Sequence, residues 1–240
     1  MKTMHQVKLK LWLVITILSL ILTHTLTTQN LNLKNRNYVC LSAGLGANYI
    51  NFPDVSDYIT SITGKRTKEF DGAPEFWAST EFKIGRDIAI KIDYSYISKQ
   101  YNIEETSTGV SLNYIFTYKV HNPVLTLNYL LFQEQEIYIV KFGAGLGFTK
   151  GYFSQFLPLS GKEVTYGTNG GILKLEAIFS SRLGEKVYVH LSTDVKIGLT
   201  DEARDANGNK LIIRKPFEED RNLRLNFTGV AIRFGFSYYF

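Results

Sequence analysis

The chain has 240 residues, a formal net charge of +5, 14% aromatic residues and one cysteine. Once a leader is set aside the length fits one domain, and a lone cysteine excludes an intramolecular disulfide. The small charge contains no basic run, which points away from nucleic acid as a partner. No apolar stretch reaches the about 18 residues that mark a transmembrane helix.

The first element is the leader. Lys2, Lys8 and Lys10 precede the apolar run LWLVITILSLIL, Leu11 to Leu22. That run is shorter than the about 20 residues that span a bilayer as a helix, and it has the layout of a secretory signal peptide. The cut is expected between Thr25 and Thr28, so residues 1–27 are read as the signal peptide and residues 28–240 as the mature domain. Cys40 lies too far beyond Leu22 for a lipid-anchoring cysteine and reads as a small side chain within a strand.

From there the sequence alternates with period two, the strand signal. Eight segments are predicted, at roughly 37–51, 75–85, 87–98, 110–131, 136–150, 169–183, 186–199 and 222–240. In the first, Val39, Leu41, Ala43, Leu45, Ala47 and Tyr49 share one face, and Cys40, Ser42, Gly44, Gly46 and Asn48 the other. In the third, Ile88, Ile90, Ile92, Tyr94 and Tyr96 oppose Ala89, Lys91, Asp93 and Ser95. In the seventh, Val187, Val189, Leu191, Val195, Ile197 and Leu199 oppose Tyr188, His190, Ser192, Asp194, Lys196 and Gly198, with Thr193 the one polar member of the apolar face. Most segments exceed the roughly 5–6 residues of soluble strands and match the roughly 9–11 tilted residues that cross a membrane.

Short connections (GRD, FQEQE and LGEK) alternate with long ones at about 52–74, 99–109, 151–168 and 200–221. In a secreted chain this is the layout of an outer-membrane barrel, with short periplasmic turns and long extracellular loops. A soluble lipocalin-type barrel is the competing architecture. The polar face decides between them. It carries Glu81, Lys83, Lys91, Asp93, Lys141, Lys174, Glu176, Arg182, Asp194, Lys196 and Arg233, together with many glycines. A solvated face gives glycine no purpose and weakens the strand, whereas a narrow eight-stranded lumen must be filled by side chains. Gly143, Gly145 and Gly147 are therefore expected to leave room for long side chains of other strands. Seven bases against four acids predict a basic excess that would draw in loop carboxylates or an anion.

The chain ends RFGFSYYF. Counting back by twos from Phe240 gives Tyr238, Phe236, Phe234, Ile232 and Val230. An aromatic C-terminus after alternating hydrophobics is similar to the signal read by the barrel-assembly machinery. With CLSAGLGANYINF, HNPVLTLNYLL around Pro123, KFGAGLGFTKGYF and FGFSYYF in place, the chain resembles the small outer-membrane β-barrel family that includes PorT-like proteins. That resemblance implies the barrel fold and transfers no catalytic residue.

Two motifs invite chemistry. The G-x-G-x-G of Gly143 to Gly147 has strand period and opens no helix, so it is not a dinucleotide loop. His190, Ser192 and Asp194 form a same-face row, and HLST is similar to the His-x-Ser-Asn motif of lipid A deacylases, although Thr193 stands where that motif has Asn. Same-face neighbours lie about 6.5–7 Å apart, too far to meet as a triad, and a hydrogen-bonded lumen is the competing reading. Tyr94, Tyr96, Tyr138 and Phe148 suit interfacial girdles. The loop after Thr200 carries Arg204, Lys210, Arg214, Lys215 and Arg221 against Asp201, Glu202, Asp205, Glu218, Glu219 and Asp220, and LIIR within it hints at a hairpin.

The sequence thus predicts an all-β, eight-stranded, antiparallel up-and-down outer-membrane barrel, with no cofactor, metal or catalytic residue. Its expected role is structural, adhesive or secretion-related, acting through its loops. Expected partners are outer-membrane lipids and lipopolysaccharide, the assembly machinery and an envelope protein. The alternatives are a lipid-modifying enzyme using His190 and Ser192, and a carrier for small apolar molecules.

Overall fold

The computed structural model describes residues 37–67, 70–107, 110–134, 137–159, 161–214 and 219–240. The expected signal peptide, residues 1–27, lies outside the described residues, as do Lys215 and Glu218. Strands β1 (Val39–Asn51), β2 (Phe70–Lys83), β3 (Ile88–Ser107), β4 (Val110–Glu134), β5 (Tyr138–Leu157), β6 (Lys162–Arg182), β7 (Val187–Thr200) and β10 (Phe227–Tyr239) close into a barrel. Every neighbouring pair is antiparallel, and β10 returns to pair with β1, Gly44 opposite Gly235. Closure matters because it leaves no sheet edge whose backbone groups would face lipid unpaired.

The alternation fixes the two faces. Leu45, Phe76, Ile92, Leu127, Phe142, Leu175, Val195 and Phe234, one from each barrel strand, all point outward and exposed. Their same-strand neighbours Glu75, Lys91, Thr126, Lys141, Lys174, Asp194 and Arg233 are buried inside. A charged interior within an apolar belt is the reverse of a soluble barrel, so the lipocalin-type architecture is set aside.

Three of the four long connections differ from expectation. In 52–74, Pro53–Thr63 forms a helix, α1, with proline in its first turn and Gly64 closing it at φ 66°. Proline lacks the N–H that a first turn leaves unused, and glycine takes the left-handed end position without strain. The stretches 99–109 and 151–168 are largely strand: β3 pairs β4 as far as Ser107 opposite Val110, and β5 pairs β6 as far as Leu157 opposite Lys162. β4 is 25 residues long, more than twice the about 9–11 needed to cross a membrane, so β3 to β6 continue well beyond the belt. In 200–221 and just beyond, β8 (Ile212–Ile213) and β9 (Arg221–Asn222) pair as a small separate sheet, which is the hairpin that LIIR hinted at.

Above the belt the interior changes character. Tyr114, Phe116, Tyr118, Val120 and Phe153 point inward and pack with Val55, Tyr58 and Ile59 of α1 and with Ala203, Leu211, Ile213, Leu223 and Leu225 of the long loop. Phe52 packs its ring, tilted, against Tyr118 and Phe227 at centroid distances of 4.5 and 5.5 Å. The helix and loop therefore form a plug with its own apolar core.

The glycines of β5 do a different job from the expected one. A Cβ at Gly147 would collide with the Pro123 carbonyl oxygen, and one at Gly145 would sit 2.5 Å from Thr126 Oγ1 and 2.8 Å from Val124 Cγ1. One at Gly143 would collide with Asn128 Oδ1. The absent side chains admit the adjacent strand β4 itself, its backbone and short side chains, as the wall curves tightly. Among the described glycines, Gly46 alone makes room for long charged side chains: a Cβ there would meet Arg233 Cγ at 3.1 Å and Glu75 Oε2 at 3.2 Å.

Candidate functional site

The lumen at belt height is built by inward residues of β2, β3, β5, β6, β7 and β10. Arg233 is its hub: Nη2 donates to Glu75 Oε1 at 2.6 Å, Nη1 to Asp93 Oδ2 at 2.9 Å, and Nε lies 2.9 Å from Asp194 Oδ2. Lys196 donates to Glu75 at 2.6 Å and lies 3.6 Å from Asp194. Lys174 bridges Asp93 and Glu176, the latter at 2.8 Å, and Lys91 pairs with Glu176. Lys141 pairs with Glu81, whose other oxygen accepts from Asn128 Nδ2 at 2.7 Å. Burying charges is costly unless each is paired, and here every lumen base has a carboxylate.

The balance differs from the expected basic excess. Lys83 and Arg182 are half-exposed at the short-turn end, where Arg182 donates to the Gly184 carbonyl. Glu75, which sequence reading passed over, joins the network with 1% exposure. Lys91, Lys141, Lys174, Lys196 and Arg233 then face Glu75, Glu81, Asp93, Glu176 and Asp194, five against five. Among the described residues the lumen needs no recruited anion. Glu75 was findable: it continues the period of Glu81 by twos, through Trp77 and Ser79, to the start of the predicted strand.

Below the network, Tyr38, Cys40, Leu130, Ile139, Tyr188 and Tyr239 form an apolar floor. Lys141 stands over the Tyr38 and Tyr239 rings at 5.2 and 5.4 Å and donates to the Tyr239 hydroxyl at 3.2 Å. Such cation–π contacts let a lysine share apolar surroundings. Above the network sits the plug. Floor, ion pairs and plug together close the lumen.

His190, Ser192 and Asp194 do share the inner face of β7, but each is engaged elsewhere or isolated. His190 Nδ1 lies 3.2 Å from Ser237 Oγ and its ring 4.8 Å from Trp77. Asp194 faces Arg233, and Ser192 Oγ is buried with no hydrogen-bond partner. Of the four residues expected to form an assembly signal, Phe234, Phe236 and Phe240 are exposed and Tyr238 is half-buried. Tyr94, Tyr138 and Phe148 are exposed on the belt, Tyr96 half-buried.

On the outside, the plug loop is tied down by charge. Arg221 pairs with Asp57 and lies 3.5 Å from Asp54, while the Arg224 amide donates to Asp54 Oδ2 at 2.9 Å. Glu202 accepts from Lys210 at 2.8 Å and from Asn222 at 2.7 Å, and these bonds hold its carboxyl below the usual range. Asp205 caps its own turn: it accepts from the Asn209 side-chain amide at 2.9 Å, which chiefly lowers it likewise, and from the backbone amides of Asn207 and Asn209 at 2.8 Å each. In the plug, burial pushes the Tyr58 phenol up to about 12, with a smaller push from Tyr166 and a hydrogen bond to Gln155 opposing it. No cluster of three or more His, Cys, Asp or Glu suited to a metal occurs among the described residues.

No family model matches the chain, and no curated protein matches it. Solved structures do. Neisserial surface protein A matches at TM-score 0.50 and 13% identity, over 84% of this chain and 96% of its own. A major outer membrane protein from Thermus thermophilus matches at TM-score 0.50 and 11% identity, over 84% and 99%. With the apolar belt and charged interior already in view, the class is settled: the chain has the fold of a small outer-membrane β-barrel. More narrowly, it is an eight-stranded up-and-down barrel of the type found in Gram-negative outer membranes.

Proposed function

We propose that this protein is a closed, non-enzymatic barrel of the outer membrane, of the PorT-like kind, that acts through its extracellular half. The sealed lumen carries this reading. Transport would need a path through floor, ion pairs and plug, and lipid chemistry at Ser192 would need a substrate inside the barrel wall. What remains available to an envelope or extracellular partner is the top of the plug and the raised hairpins of β3 to β6. The loop contributes Ala203, Leu211 and Ile213 to the plug core, so deleting all of 200–221 would open the barrel as well as remove a surface.

The test has two parts. In planar bilayers the folded protein should conduct negligibly, and Ser192→Ala should leave the acyl pattern of cellular lipid A unchanged. Steady conductance in the wild type, or an altered acyl pattern, would refute the reading.

A further inference from the structure

The outer face of β3 to β6 changes character where these strands leave the belt. Register places its outward residues in rows. The last lipidic row holds Tyr94, Pro123 and Phe148, the last 77% exposed. Directly above it come Tyr96, His121 and Lys150, and then Lys119, Tyr152 and Gly167. Above those lie the hydroxyls of Thr117, Ser154 and Thr165, with Ser154 and Thr165 2.7 Å apart.

The two middle rows form one organised cluster. His121 Nδ1 is 2.7 Å from the Tyr94 hydroxyl, and its ring lies 5.0 Å from Tyr96 and 6.0 Å from Tyr152. Lys150 stands over Tyr152 at 5.5 Å. Lys119 and Lys150 have no carboxylate partner among the described residues, whereas Arg204, whose backbone bridges to Gly167, shares Glu202 with Lys210. A Cβ on Gly167 would meet nothing within 4 Å, so an open notch adjoins Tyr152. At the same height across the barrel, β1 and β10 offer Tyr49, Asn51, Thr228 and Val230, with no base. Along these two rows the unpaired positive charge sits on β4 and β5.

Two unpaired ammonium groups at the line between apolar belt and polar wall attract an anion, with about 1 kcal/mol for each lysine near a charged lipid surface. The acyl-compatible row below and the hydroxyl row above frame that anion between a greasy part and a sugar-like part. We propose that this face binds the phosphorylated sugar headgroup of an outer-leaflet glycolipid. Lys119 and Lys150 take the phosphate, the Tyr152 ring and the Gly167 notch seat the sugar, and the acyl chains descend along Phe148 and Tyr94. This rests on the outer-membrane reading above.

The mature chain in neutral phospholipid nanodiscs, titrated with bisphosphorylated lipid A and followed by native mass spectrometry, tests it. Binding should saturate and should weaken about thirtyfold in the Lys119→Gln/Lys150→Gln variant, the sum of two such lysine contributions. Dephosphorylated lipid A should bind as weakly as that variant does, and Arg86→Gln, at a short turn, should change nothing. Equal binding by the double variant would overturn the proposal. So would equal affinity for phosphatidylglycerol, a merely anionic lipid, or for inorganic phosphate, a soluble anion. Each protein is first run boiled and unboiled on a gel: a chain without heat-shifted mobility refutes the membrane barrel itself, whereas a shifted chain that fails to discriminate refutes only this site.

Discussion

The two halves of this barrel solve opposite problems with the same strands. At belt height the wall is greasy outside and charged inside; above it, the wall is polar outside and greasy inside. β4 shows the reversal without any change of parity. From Leu130 up to Phe116 its even residues point inward, as Asn128 and Thr126 in the belt and as Val120, Tyr118 and Phe116 above it. Its odd residues point outward, as Tyr129, Leu127 and Leu125 below and Lys119 above. The solvent dictates the difference. Facing lipid, the interior gains nothing from being apolar and is held by ion pairs and shape; facing water, the hydrophobic effect returns and an apolar core forms around α1.

The sharpest way to break that contrast is at the hub. Arg233→Met leaves Glu75, Asp93 and Asp194 short of a partner in a site with 1% exposure. Losing one partner of a buried ion pair costs about 3–5 kcal/mol, and three affected carboxylates place this change at the top of that range. Urea unfolding in detergent micelles, followed by the loss of the folded gel band, reads the effect. A variant within about 1 kcal/mol of wild type would mean that the pairs are interchangeable.

Phe116→Ala tests the other half. It empties a fully buried position between Tyr58 and Phe153, and such truncations cost about 3 kcal/mol or more. Because the loss falls above the belt, the plug should loosen while the barrel stays inserted. Protease should cleave the 200–226 loop faster, with the heat-shifted band retained. Loss of both together would show that the two halves fold as one unit.

This division explains what the sequence disclosed. Strand number, the short turns and the belt were legible because lipid demands strict alternation. The hairpin tops were not, because SKQYNIEETS carries its inward apolar residues, Tyr101 and Ile103, among polar neighbours on both faces. Helix α1 did leave a trace: Val55, Tyr58, Ile59 and Ile62 recur at helical spacing behind Pro53. The charged residues of the lumen could be assigned to a face but not to partners, since pairing such as Lys141 with Glu81 spans the barrel interior and follows from closure. The lysine–histidine–tyrosine cluster was invisible for a similar reason: Lys119 and His121 share a face of β4, but Lys150 and Tyr152 join them only through the β4–β5 register.

Glycine gives a finer probe of the same contrast. Gly145→Val drives a branched side chain against Thr126, Val124 and the Leu125 carbonyl; overpacking of this kind costs about 1–3 kcal/mol. Gly167→Ala, on the open outer wall above the belt, has nothing within 4 Å to meet and should be neutral in the same urea assay. Equal effects would mean that the close approach of β4 to β5 is not tight in solution.

The smallest effect expected lies in the loop, where charge acts on the surface. Glu202 and Asp205 are both held below their ordinary values of 4.5 and 3.8, chiefly by hydrogen bonds from Lys210 and Asn209 respectively. A carboxyl whose folded value is depressed binds its proton less readily than in the unfolded chain, so its contribution is fully present above the ordinary value. That contribution is lost as pH falls through the lower, folded one. The turn should therefore keep its geometry at about pH 5 and release it only below about pH 4. The amide signals of Asn207 and Asn209, both bonded to Asp205 Oδ1, report this directly by NMR. Their midpoint should fall below 3.8 in the wild type, and Asp205→Asn should abolish the titration. A midpoint above the ordinary value would mean that nearby acids, Asp201 or Glu202, repel the Asp205 carboxylate more than its own turn stabilises it.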